Sequence, residues 1–121
     1  GEYASTRKQF DVPIASFQVI QHRLVDMFAA VEASRSLLMM AALHAEHPDA
    51  ATRSRAVSAA KAAIGERARF VAQQAVQLHG GVGMTEELDI GHYFRRLTLF
   101  CQLFGSADHH LQRFAALRAA A

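Results

Sequence analysis

Proline occurs only at Pro13 and Pro48, and glycine is sparse outside one short stretch. Breakers this rare permit long uninterrupted helices, and frequent alanine supplies the strongest helix former. Cysteine occurs once, at Cys101. An internal disulfide is thereby excluded, and a reducing cytoplasm is the expected setting. Cys101 falls on an apolar stripe, which argues against a catalytic thiol. No apolar run is long enough to span a bilayer, and no signal peptide opens the chain. An excess of one charge is also missing: 13 Lys and Arg against 11 Asp and Glu leave a net charge of +2. The densest basic set, Arg53, Arg55, Lys61, Arg67 and Arg69, is interrupted by Glu66. It reads as a solvated helix face, so neither nucleic acid nor membrane is an expected partner.

What remains is a chain of 121 residues, 51% hydrophobic and 20% charged. That suits one globular, soluble domain over residues 1–121 with a real core. The chain has no initiating Met, Glu2 to Lys8 reads as a helix tail, and Gly1 has the look of a cloning scar. A fragment of a longer protein is expected. Beyond Pro13 a first long helix is expected from about Ala15 to His47. Its apolar face carries Phe17, Ile20, Leu24, Met27, Phe28, Val31 and Leu38. Pro48 and Asp49 mark a turn. A second helix follows from about Ala51 to Leu78, with Val57, Ile64, Val71 and Leu78 seven apart and Ala60, Ala68 and Ala75 between them. This is a bundle seam where small residues allow close approach, and Gly65 inside it points to a tight helix contact. Thr85 is placed to cap a third helix from about Ile90 to Leu103, with Glu86, Glu87 and Asp89 in its acidic start. Gly105 breaks that helix, and Ser106 can cap a last one carrying Leu111, Phe114 and Leu117. No strand pattern appears. The expected fold is all-α, an antiparallel four-helix up-and-down bundle.

The glycines gather at Gln77-Leu78-His79-Gly80-Gly81-Val82-Gly83, between two helical patterns. They can serve as a helix stop, with glycine in the left-handed conformation. Alternatively, bare backbone lets another molecule approach closely, with the Gln77 amide beside it. A Rossmann fingerprint is excluded, because a helix and not a strand precedes the glycines. Other candidates are weaker. Glu86 and Glu87 as an acid–base pair would point apart on a helix. Asp108, His109 and His110 lack metal-ligand spacing, so no metal is expected. His22 and Asp26 suit a helix-surface pair. His79 suits either a site or the last carbonyls of its helix. One of Arg95 and Arg96 is expected in a buried or interfacial ion pair, and Met39 and Met40 read as core filling. The residues alone thus describe a bundle with a Gly-rich loop and no self-contained active site.

Three stretches together resemble the C-terminal helical domain of the acyl-CoA dehydrogenase family. They are Thr6-Arg7-Lys8-Gln9-Phe10 with Pro13-Ile14 and Phe17-Gln18, then Ala75 to Gly83, then Gly105-Ser106 before the last helix. The resemblance covers essentially the whole chain. It implies a flavoprotein in which FAD lies between domains and across a subunit interface. Arg7, with Phe10, would meet the flavin pyrophosphate, and a guanidinium fork suits phosphate oxygens. Gln18 would reach the nucleotide end. Gln77, Leu78, His79, Gly80 and Gly81 would lie against the adenosine and pyrophosphate. Ser106, Ala107 and Asp108 would contact flavin at a helix N-terminus, and Gly105 the substrate. The implied reaction is α,β-desaturation of an acyl-CoA, with electrons passed to an electron-transfer flavoprotein.

Two departures from the family pattern stand out. Asp11 replaces the usual Gly after Phe10 and is expected to loosen that turn. Phe104 stands where many members carry the Glu that removes the α-proton. A phenyl ring accepts no proton, so no catalytic residue is expected within the chain and the isolated fragment should be inactive. The base would then come from the helix preceding Gly1, or from a paralogous large subunit. The wider sequence most resembles the small subunits of such two-chain bacterial dehydrogenases, including those for pimeloyl-CoA and steroid-derived CoA esters. Self-association is expected as well, because this bundle forms the centre of the family's oligomers.

Overall fold

The computed structural model describes residues 1–85 and 87–119. Helix α1 covers Glu2–Thr6, α2 Gln18–His44, α3 Ala50–His79, α4 Ile90–Phe100 and α5 Ala107–Ala119. The architecture is all-α, as the sequence implies. A minimal ladder interrupts it: β1 (Lys8–Gln9) pairs antiparallel with β2 (Val12–Pro13), with Lys8 opposite Pro13 and Gln9 opposite Val12. Two residues cannot register as a strand in a hydrophobic pattern, which is why none was expected. The loop of this hairpin is Phe10-Asp11, at φ 54° and 64°. Two-residue hairpins of this kind demand positive φ at both positions. Asp tolerates it where most residues do not, so Asp11 closes the turn and does not loosen it.

After Pro13, Ile14–Ser16 form a 3₁₀ turn and Phe17 is extended, so α2 begins at Gln18. The chain then reverses through His47 to Asp49. The Asp49 carboxylate caps α3, accepting from Thr52 N at 2.8 Å, Thr52 Oγ1 at 2.6 Å and Ala51 N at 3.3 Å. Those hydrogen bonds, the Thr52 hydroxyl first, hold its pKa below the ordinary value of 3.8.

Helix α3 is the hub, packing against α2, α4 and α5. At about 1.5 Å per residue it is about 45 Å long. Its buried residues are small: Ala56, Ser58, Ala60, Ala62, Gly65 and Ala72. The heptad set expected to form the seam is less enclosed, with Val57 exposed and Ile64, Val71 and Leu78 half-buried. Small side chains fill the seam because the neighbours approach closely from three sides. At Gly65, Cys101 Sγ donates to the glycine carbonyl at 3.2 Å. A Cβ there would lie 4.0 Å from that sulfur, so the contact is close without being sterically exclusive. Lys61 Nζ donates to the Phe100 carbonyl at 2.9 Å and sits 4.5 Å from the centre of its ring, tying α3 to the end of α4. Lys61 and the half-buried Arg67, which donates to Ala63 O, are not simply solvated.

Helix α2 has no fully buried residue. Phe28, 67% exposed, is left bare, as are Val25, Leu38, Met39 and Leu43. The expected single apolar face is therefore two: one on α3, one bare. Met39 is not core filling. Helix α4 ends at Phe100, short of Leu103, and Asp89 precedes it without a side-chain cap. Thr85 caps a local turn, its Oγ1 accepting from Glu87 N at 3.4 Å, and does not cap α4. Glu86 lies outside the described residues. Arg95 and Arg96 are both exposed, so neither is buried within this chain. Ser106 does cap α5, accepting from His109 N at 3.3 Å. No described helix is long and apolar enough to cross a membrane.

Candidate functional site

The three glycines of the loop have three different reasons. Gly80, at φ 64°, ends α3, its N–H reaching back to the Val76 and Gln77 carbonyls. Gly83 is buried, and a Cβ on it would come within 2.9 Å of His79 Cβ and 3.0 Å of Val76 O. Gly81 has neither constraint: its φ is unremarkable and a Cβ would meet nothing within 4 Å. Nothing inside the domain explains it. What Gly81 does is line a cleft of about 550 Å³ with Gly80, Gln77, Leu78 and His79. A volume of that order suits a small-molecule or cofactor site.

The opposite walls come from α1, the hairpin and α2. Arg7 has its backbone pinned on both sides, its N–H donating to Tyr3 O at 2.8 Å and its carbonyl accepting from Ile14 N at 2.9 Å. Arg7 lines the cleft, as do Phe10 and Arg23, and no lining residue is acidic. Phe10, at positive φ, packs edge-on against Phe17 with centroids 6.4 Å apart. Tyr3 stacks on His79 at 4.3 Å and donates to its carbonyl at 3.3 Å. His79 Nδ1 lies 2.7 Å from Ala75 O, so that nitrogen carries the proton and Nε2 is left over. His79 therefore serves the last turn of its helix and lines the cleft as well.

Arg7, Phe10, Gln77, Leu78, His79, Gly80 and Gly81 are thus brought together. Gln18 is not among the lining residues; it is exposed at the start of α2, next to Val19 and Ile20, which do line the cleft. Tyr3 and Arg23 were missed. Arg23 lies three residues past Ile20 on the same helix face, a spacing present in the sequence but belonging to none of the three motifs.

Ser106 and Asp108 lie elsewhere. They line a second recess of about 400 Å³ with Gly65, Glu66, Arg69, Cys101 and Gln102. Gly65 and Gln77 are twelve positions apart on α3, which places the two recesses about 18 Å apart along it. Glu66 and Asp108 give the second recess carboxylates beside its one arginine, so a neutral hydrogen-bonding group suits it better than a phosphate. At its edge, Phe104 is at φ 61° and 90% exposed, and Gly105 is at φ 107°. His110 holds this turn. Its Nε2 lies 2.9 Å from the Phe104 carbonyl, which can only accept, so Nε2 carries the proton. Nδ1 then accepts from the Ser58 hydroxyl at 3.3 Å. Ser58 is 0% and His110 4% exposed.

The family model of the acyl-CoA dehydrogenase C-terminal domain matches residues 1–117. The chain belongs to the acyl-CoA dehydrogenase family. It is 38% identical over 113 residues to the acyl-CoA dehydrogenase IpdE2 of Mycobacterium tuberculosis, covering 93% of this chain and 33% of that protein. The solved ChsE4–ChsE5 complex of the same organism matches with a TM-score of 0.90 at 35% identity, over 99% of this chain and 32% of the solved one. A FAD complex of PigA matches with a TM-score of 0.87 at 27% identity, over 98% and 30%. The chain therefore spans about a third of the length of these relatives. Acyl-CoA dehydrogenases are flavin-dependent oxidoreductases, and the residues of the cleft fit a flavin dinucleotide. Two guanidiniums, no acid and a backbone stretch open at Gly81 match a diphosphate ligand.

Proposed function

We propose that this chain is the C-terminal, FAD-contacting and oligomerising domain of a longer acyl-CoA dehydrogenase. The parent protein would desaturate an acyl-CoA between its α and β carbons, with an electron-transfer flavoprotein as acceptor. The observation that carries this reading is Gly81, a glycine with no internal reason, set in a cleft with Arg7. FAD, when bound, would supply the hydride acceptor. Arg7 would bind a diphosphate oxygen, and Phe10 would shield the pair from water. Gln77 would offer its amide to the nucleotide, and the Gly80–Gly81 backbone would let the ligand lie flat against the end of α3. Gln18 would act from the rim.

Ser106 and Asp108 would contact flavin at the second recess, with Gly105 against the substrate. We assign the two recesses to two different flavins because Ser106 and Asp108 line a recess separate from the Arg7 cleft. A partner subunit is then part of each complete site, and the relative solved as ChsE4–ChsE5 is itself a complex of two proteins.

Phe104 favours a second reading, a non-catalytic small subunit of a heteromeric dehydrogenase. A positioned base contributes about 10²–10⁴-fold, and the phenyl ring at this turn supplies none. Either the base lies in a segment outside this chain or the partner subunit provides it. The test uses the full-length protein purified with and without the product of its genomic neighbour. Flavin absorbance is read before and after adding a panel of acyl-CoAs. The domain reading expects bound FAD that bleaches with at least one acyl-CoA. Bleaching only in the neighbour's presence selects the small-subunit reading. Absence of FAD in both preparations rejects both.

A further inference from the structure

The cleft holds a second guanidinium that the motif-based reading does not use. Arg23 projects from α2 into it, and its Nη1 donates to Gln74 Oε1 on α3. Gln74 engages one N–H of the guanidinium fork and leaves the remaining donors to the cleft. It also fixes a long side chain that would otherwise have to be ordered on binding, which is preorganisation of a charge for a ligand.

Arg7 comes from the end of α1 and Arg23 from the second turn of α2, so the two cations stand on different elements. Among the lining residues there is no carboxylate to neutralise either. One cation would suffice for a carboxylate or a monophosphate. Two like charges converging on a single recess repel each other unless a ligand carries at least two negative charges between them. The open backbone at Gly80 and Gly81 completes the set, since the Gly81 position offers no side chain to obstruct such a ligand.

We propose that Arg23 is a second anion-recognition residue of this cleft, engaging one phosphate of a dinucleotide diphosphate while Arg7 engages the other. The inference rests on the flavin reading of the cleft and extends it to a residue outside the motifs. The competing role is structural, a clamp from α2 to α3 through Gln74. The two roles separate in binding measurements on the full-length protein stripped of flavin.

FAD is titrated into wild type, Arg23→Gln, Arg23→Lys and Arg7→Gln at several salt concentrations, and apoprotein Tm is recorded for each. The expected result is a Kd about tenfold to a hundredfold weaker for Arg23→Gln, the range for a hydrogen bond to a charged group. Arg23→Lys should recover part of this, because an ammonium keeps the charge and loses the fork. The salt dependence of binding should be shallower in Arg23→Gln, and its apoprotein Tm close to wild type. A clamp would instead lower the Tm and leave FAD affinity and its salt dependence unchanged, which overturns the proposal. A wild type that binds FAD while Arg23→Gln binds equally well overturns the Arg23 inference alone. A wild type that takes up no FAD overturns the flavin reading and this inference together.

Discussion

Gly83 and Gly81 sit two positions apart and predict opposite results. A methyl at Gly83 would press on His79 Cβ and the Val76 carbonyl, at 2.9 and 3.0 Å. Backbone cannot yield as a flexible side chain can. Gly83→Ala should therefore cost about 1–3 kcal/mol, the range for overpacking, read as a lower urea midpoint. Gly81→Ala meets open space and should fall within about 0.5 kcal/mol of wild type. At the far recess, His110→Leu removes the acceptor of the fully buried Ser58 hydroxyl. It should cost about 1–3 kcal/mol for that unsatisfied group. His110→Leu with Ser58→Ala should recover part of the loss, because the orphaned hydroxyl goes with it. Asp49 adds a pH-dependent term. Its folded pKa is depressed by the Thr52 and Ala51 hydrogen bonds, so the cap's contribution is fully present above the ordinary value of 3.8. It disappears as pH falls through the lower folded value. Asp49→Ala should melt below wild type at neutral pH, and the gap should close on acidification below about pH 3.8. The gap is small, because the carboxylate is fully exposed to solvent.

Helices α3 and α5 were legible because their signals are local: the Pro48–Asp49 turn precedes the first and Gly80 stops it, and Ser106 caps the second. Helix α4 begins at Ile90 as expected, but its cap and its end were misread. Thr85 looks like a cap in sequence, but the turn it closes ends before the helix begins. Leu103 continues the apolar pattern, yet the chain leaves the helix after Phe100 to reach the left-handed pair Phe104 and Gly105. Helix α2 shows a different limit. Its periodicity identifies a helix correctly, but hydrophobicity does not say which face meets this chain and which meets something else. Phe28 and Leu38 fit the apolar pattern as well as Leu24 and are left bare. For the cleft, the motif positions were readable and came together except Gln18. Tyr3 and Arg23 depend on how α1 and α2 lie against the end of α3, which no local pattern encodes.

At the scale of the molecule, the bare side of α2 adjoins an apolar groove between α2, α3 and α4, lined by Val31, Leu38, Ile64, Val71, Leu97 and Phe100. Contiguous exposed apolar surface of this kind marks an interface. The isolated domain should therefore self-associate, with sedimentation velocity giving species heavier than the 13.3 kDa monomer. Phe28→Glu with Leu38→Glu should shift it toward monomer, whereas a wild type that sediments as a clean monomer would count against the oligomer role. In the proposed reading the two recesses make the same point chemically, because each would be one wall of a site that another chain or domain completes. The central claim is that the Gly80–Gly81 backbone is the surface on which the dinucleotide lies. The most direct test is the FAD-to-protein ratio of the full-length protein carrying Gly81→Val, after gel filtration, beside wild type. The account predicts that wild type retains FAD, and that the variant loses most of it with an unchanged apoprotein Tm. Retention of FAD at the wild-type ratio by Gly81→Val would contradict it.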